Sequence, residues 1–130
     1  MEKKKVLVID DVAMNLLTLK SLLTDLYDVR VAKSGETALF VLGSVKVDLI
    51  LLDIEMPGMS GFDFVDAIRR IPDVADIPII FVTSHGTADV VGRATMLGVA
   101  DYVVKPVNSK SLLKKVAAVI GNEEIEEDNS

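Results

Sequence analysis

The feature that most constrains this chain is a succession of short apolar runs rich in β-branched residues, each followed by a stretch with helical spacing. Val6-Leu7-Val8-Ile9, Leu49-Ile50-Leu51-Leu52, Ile79-Ile80-Phe81-Val82 and Tyr102-Val103-Val104 are continuous runs, the form expected of strands covered on both faces. Val29-Arg30-Val31 is shorter and alternates apolar with polar, as an edge strand does. Leu16, Leu19, Leu23 and Leu26 fall on one helical stripe, and residues 34–44, 61–71, 86–97 and 107–120 show similar spacing. Ser34, Ser60 and Asn108 stand where N-caps are expected. Strand followed by helix, five times over with short connections, predicts one α/β domain: a parallel sheet with helices on both faces.

With 130 residues, half of them apolar and 26% charged, the chain has the size and composition of one globular domain. No apolar run approaches the roughly 20 residues that span a bilayer, so no membrane insertion is expected. The opening Met-Glu-Lys-Lys-Lys carries no secretory apolar region, so a cytoplasmic location is the expectation. With no cysteine, disulfides and thiolate metal sites are excluded. The net charge of −6 is unevenly spread, because Glu123, Glu124, Glu126, Glu127 and Asp128 supply five of the 20 acids. Residues 122–130 therefore read as an acidic tail or the start of a linker, and residues 1–121 as a nearly neutral domain. Near-neutrality argues against direct nucleic-acid binding.

In open parallel sheets, ligand sites lie outside the carboxyl ends of the strands. Asp10 and Asp11 follow the first run and Asp53 follows the Leu49–Leu52 run. Thr83 ends the Ile79 run with Ser84 beyond it, and Lys105-Pro106 follow the last run. Three carboxylates on one rim repel unless a cation lies among them. Oxygen donors without His or Cys favour a hard ion such as Mg²⁺. Lys105 suits a phosphoryl oxygen as a point charge, and Thr83 offers a hydroxyl. Asp53, leading into Pro57-Gly58, is then the best nucleophile for an in-line phosphoryl transfer. Singly, Asp11 reads as a helix cap, Asp53 as a loop acid, Thr83 as a strand-end hydroxyl and Lys105 as a surface lysine. At the ends of four different strands they read as one site.

Across residues 4–120 the chain resembles the response-regulator receiver domains of two-component signalling. The likeness rests on Val8-Ile9-Asp10-Asp11 with Asn15, on Leu51 through Gly61, and on Val82-Thr83-Ser84. Gly98 through Tyr102 and Val104-Lys105-Pro106 complete it. The resemblance implies a doubly wound, flavodoxin-like five-stranded sheet in the order 2-1-3-4-5. It implies Asp53 as phosphoacceptor, with Asp10, Asp11, Asp53 and the Glu55 backbone carbonyl around Mg²⁺, for which Mn²⁺ can substitute. Thr83 and Lys105 match the switch hydroxyl and the phosphate-pairing lysine, and Tyr102 the aromatic that reorients. Glu55 and His85 fall at positions that tune phosphoryl lifetime. The implied donor is a phosphohistidine on a sensor histidine kinase or histidine phosphotransfer protein. The candidate docking residues are Met14, Asn15, Thr18 and Pro106. Output is expected through residues 83–106 to an unidentified partner or domain, and the family admits a phosphorylation-dependent homodimer. Such a domain is not an enzyme in the ordinary sense, catalysing only its own phosphotransfer and slow self-dephosphorylation.

Two positions depart from the usual pattern. Ser84 stands where alanine is frequent, adding a hydroxyl near the site, and Val107 stands where phenylalanine is common. Other readings fit less well. A nucleotide or flavin module lacks its glycine-rich phosphate loop, and two aspartates occupy that place. A phosphohydrolase with an aspartyl intermediate lacks both the Asp-x-Asp after a strand and a cap domain. A receiver-like domain that is never phosphorylated is disfavoured by the complete acceptor set.

Overall fold

A computed structural model describes residues 3–121; the acidic segment 122–130 lies outside the described residues. Five strands alternate with five helices: β1 (Lys5–Ile9), α1 (Ala13–Leu23), β2 (Asp28–Ala32), α2 (Gly35–Leu42) and β3 (Leu49–Leu52), then α3 (Gly61–Ile68), β4 (Ile79–Thr83), α4 (Ala88–Met96), β5 (Asp101–Val104) and α5 (Ser109–Ile120). The sheet is parallel throughout, in the order β2-β1-β3-β4-β5, as expected. The chain reverses its direction of travel across the sheet between β1 and β3, whose register pairs Val6 with Leu49 and Ile9 with Leu52.

Why each run is wholly apolar follows from the two cores. Alternate side chains leave opposite faces of a strand. Leu7, Ile9, Ile50, Leu52, Ile79 and Phe81 pack on one face against Ala38 of α2, Phe64, Val65 and Ile68 of α3, and Ala94 of α4. Val6, Val8, Leu49, Leu51, Ile80 and Val82 pack on the other against Leu16, Leu19 and Leu23 of α1 and Leu112 and Val116 of α5. Full burial of each such side chain contributes about 1.5–3 kcal/mol relative to exposure.

Several boundaries differ from the sequence pattern. Leu26 continues the leucine spacing but lies beyond α1, which ends at the Thr24 cap; it packs, half-buried, on the second core from the turn. The 61–71 segment ends its α-helix at Ile68, and Arg70 and Ile71 tighten into bonds to residues three back, just before Pro72. Ser34, Ser60 and Asn108 do cap α2, α3 and α5, and Ser60 with Asp63 forms a reciprocal capping box. Thr87, which no sequence signal singled out, caps α4 and leaves His85 and Gly86 to the loop. The continuous run of β5 is not covered on both faces. It is the second edge strand, and Val104 is exposed.

Candidate functional site

The central strands β1 and β3 end side by side at the reversal point and deliver Asp10 and Asp53 to the same rim. Both are buried, at 1% and 7% exposure. Asp10 is heavily engaged. Its Oδ1 accepts the Val12 backbone N–H at 2.9 Å, and its Oδ2 accepts Asn15 Nδ2 at 3.1 Å and Lys105 Nζ at 2.8 Å. Asp11 is not a cap, because the N-cap position of α1 falls on Val12, which has no side-chain cap bond. Asp11 stays half-buried and free to face the cleft. Lys105, arriving from the end of β5, lies 3.6 Å from Asp53 Oδ1. One ammonium thus serves two buried carboxylates.

That balance leaves Asp53 strained. Burial pushes its carboxyl up to about 6, and the Asp10 carboxylate adds to the rise. Lys105 and a hydrogen bond from the Glu55 backbone oppose it, the Asp11 charge adding a little more on the other side. One oxygen from each of Asp10, Asp11 and Asp53 lies within 4.8 Å of the others. Hard oxygen donors around an undercompensated buried acid fit a small divalent cation, which would supply the charge that Lys105 alone does not. The cleft in front of them is about 250 Å³, lined by Asp11, Asn15, Asp53, Glu55, Ser84 and His85 besides Lys105. Ser84, the departure noted above, therefore does place its residue at the cleft.

Gly61 makes this geometry possible. A Cβ there would sit 2.5 Å from the Asp53 carbonyl oxygen and 2.7 Å from Ile54 Cα, so only glycine lets the start of α3 close against the strand end. The Gly61 N–H donates to the Ile54 carbonyl at 2.7 Å. Gly58, at φ +77°, turns the loop between them.

Thr83 is buried at the end of β4, and its hydroxyl accepts the His85 N–H at 3.0 Å. It lines an adjoining cavity of about 620 Å³ together with Met56, Phe62, His85, Val90 and Arg93. His85 Nε2 and Glu55 Oε1 meet at 2.6 Å, joining the two loops that flank Asp53. Tyr102 is half-buried; the Lys115 ammonium donates to its carbonyl at 2.7 Å and sits 5.3 Å from its ring centre.

The four residues chosen for docking divide. Met14 and Pro106 are exposed, Met14 at 68%. Thr18 is exposed, but its hydroxyl is tied back to the Met14 carbonyl. Asn15 turns inward to Asp10 and orients that acid. Val12 and Leu17, exposed at 47% and 63%, extend the apolar surface around Met14 and were missed. The signal was available for Leu17, which lies off the Leu16–Leu19–Leu23 stripe.

Comparisons with known proteins agree with this fold. The family model for the response regulator receiver domain matches residues 6–117. The chemotaxis protein CheY of Pseudomonas aeruginosa is 34% identical over 117 residues, covering 88% of this chain and 94% of that protein. A probable cyclic di-GMP phosphodiesterase of Vibrio cholerae is 35% identical over 117 residues, which are 90% of this chain but 26% of that protein. A hybrid signal transduction histidine kinase of Dictyostelium discoideum is 40% identical over 121 residues, and there the chain spans 7% of the length. Among solved structures, the chemotaxis protein CheY4 of Vibrio cholerae matches with a TM-score of 0.85 at 31% identity, over 90% of this chain and 98% of that one.

Proposed function

Because this chain belongs to the response regulator receiver family, we propose that it is a signalling switch set by phosphorylation of Asp53. The observation that carries the reading is the buried Asp53 carboxylate at the end of a central strand, ringed by Asp10, Asp11 and Lys105. The donor is a phosphohistidine on a sensor kinase or histidine phosphotransfer protein. An Asp53 oxygen attacks phosphorus, the P–N bond to the donor imidazole breaks, and its electron pair returns to the ring nitrogen. With its carboxyl near 6, Asp53 is mostly ionised at neutral pH and so is a competent nucleophile.

Asp10, Asp11, Asp53 and the Glu55 carbonyl would hold Mg²⁺, which when bound neutralises charge on the transferring group. Lys105 pairs with another phosphoryl oxygen, exchanging its bond to Asp10 for one to the product. The Thr83 hydroxyl takes a third. To do so it gives up the His85 N–H, which frees the loop before α4; Tyr102 on the neighbouring strand follows. Glu55 and His85, bridged at the wall of the cleft, are the groups through which water reaches the adduct and its lifetime is set.

Intact-mass spectrometry after incubation with acetyl phosphate tests the reading. The wild type gains one phosphoryl group only when Mg²⁺ is present, and Asp53→Asn gains none. Equal labelling of the two proteins sinks the assignment. The exposed apolar patch of Met14, Leu17 and Val12 is the donor-docking face. Met14→Ala with Leu17→Ala should slow transfer from a phosphorylated histidine phosphotransfer protein about tenfold, while labelling by acetyl phosphate is unchanged. Equal slowing with both donors would remove the patch from docking.

A further inference from the structure

A second concavity, of about 810 Å³, lies between α3 and α4. Its apolar surface comes from Phe62, Met96 and Leu97, and Met96 is 89% exposed. Gly92 faces open space, since a Cβ there would meet nothing within 4 Å. Three carboxylates rim it: Asp63, Asp66 and Asp89. Asp63 is used by the capping box, while among the described residues Asp66 pairs only with Arg70, through ends exposed at 63% and 78%. So exposed a pair contributes little and rearranges readily. Among the described residues Asp89 has no ion-pair partner. Among the described residues the one cation lining the groove, Arg93, lies over the Phe62 ring at 3.8 Å and pairs with none of these acids.

We propose that this groove is a docking surface for a cationic amphipathic helix of a partner protein, with an affinity set by the state of Asp53. An apolar floor between two helices accepts the ridge of a third. The acid rim selects lysine or arginine on that helix and repels polyanions, so charge complementarity names the occupant.

The coupling rests on the receiver reading above and has a physical route. Phe62 and Arg93 belong both to this groove and to the cavity lined by Thr83. The Phe62 ring packs edge-on against Phe81 at 5.5 Å, two residues before Thr83 on the same strand face. Withdrawal of Thr83 toward Asp53 therefore reshapes a wall that the groove shares.

Methionine methyl NMR on the full chain tests both statements, because Met96 lies in the groove and Met14 on the opposite side of the sheet's helix layers. The probe is a synthetic helical peptide of leucines and lysines, with a leucine–glutamate peptide as control, titrated with Mg²⁺ present, before and after acetyl phosphate. The lysine peptide should shift Met96 and not Met14, bind about fivefold differently in the two states, and outcompete the glutamate peptide. Asp66→Asn with Asp89→Asn, both exposed, should weaken binding about tenfold without changing Asp53 labelling or the melting temperature. Met96→Ala gives a second, independent loss. An unmoved Met96, equal binding of both peptides, or undiminished binding by the folded double variant overturns the docking surface. So does a Met96 shift on dilution without peptide, which would assign the groove to a second copy of the chain. Equal affinity in the two states overturns the coupling. Failure of Asp53 labelling with Met96 still responsive removes the receiver reading and retains the docking surface.

Discussion

Helices α3 and α4 share a groove on one face of the sheet, yet they are held very differently. Helix α3 buries Gly61, Phe64, Val65 and Ile68 and starts with a capping box closed against the Asp53 strand end. Helix α4 buries Ala94 alone, and its Thr87 cap bond is a long 3.4 Å. Few buried apolar contacts mean a low local opening free energy. Helix α3 is thus anchored, whereas α4 is only loosely held. The switch proposed above would use both, a rigid place to receive charge and a loosely held element to report it.

The contrast breaks first at its core. Phe64→Ala should destabilise by about 3–5 kcal/mol in urea unfolding, because a fully buried ring leaves a cavity. Met96→Ala should change stability by less than about 0.5 kcal/mol. Similar losses for the two would mean that α4 is as firmly anchored as α3.

The glycines sharpen it. Gly61→Ala forces a methyl onto backbone atoms that cannot retreat, and should cost about 2 kcal/mol while slowing acetyl phosphate labelling. Gly92→Ala, in open space within α4, should stabilise by about 0.5–1 kcal/mol through helix propensity. Opposite signs from the same substitution, read by thermal melts, are the outcome to look for.

The smallest effect concerns charge. Burial and the neighbouring Asp10 carboxylate push the folded Asp53 carboxyl up to about 6 from an ordinary value of 3.8. Between those pH values the folded state binds more protons than the unfolded one, so stability falls as pH rises. The contribution is fully present below the lower value and lost through the upper one. In EDTA at pH 7.5, Asp53→Asn should therefore melt higher than wild type by several degrees, with ~1 kcal/mol corresponding to about 4 °C. The gap should close toward pH 5. A gap independent of pH would contradict the raised carboxyl.

Much of this was legible from local pattern. Three of the four continuous runs marked central strands because both faces of such a strand are apolar, and Ser34, Ser60 and Asn108 marked helix starts because their side chains satisfy free N–H groups. The pattern failed where a residue's environment is set from afar. Leu26 keeps helical spacing without helix, and β5 is apolar although it is an edge. Asn15 looks like surface and is bonded to Asp10.

The order of strand and helix, and hence the rim on which Asp10, Asp11, Asp53, Thr83 and Lys105 meet, was determined by the sequence itself, since periodicity and turn chemistry are properties of neighbouring residues. Only the tertiary structure decided that Lys105 divides its charge between two buried acids, that Glu55 reaches His85, and that an acid-rimmed groove opens between α3 and α4. Those are relations between segments far apart in the chain, and their strength depends on distance and burial, which no linear pattern contains.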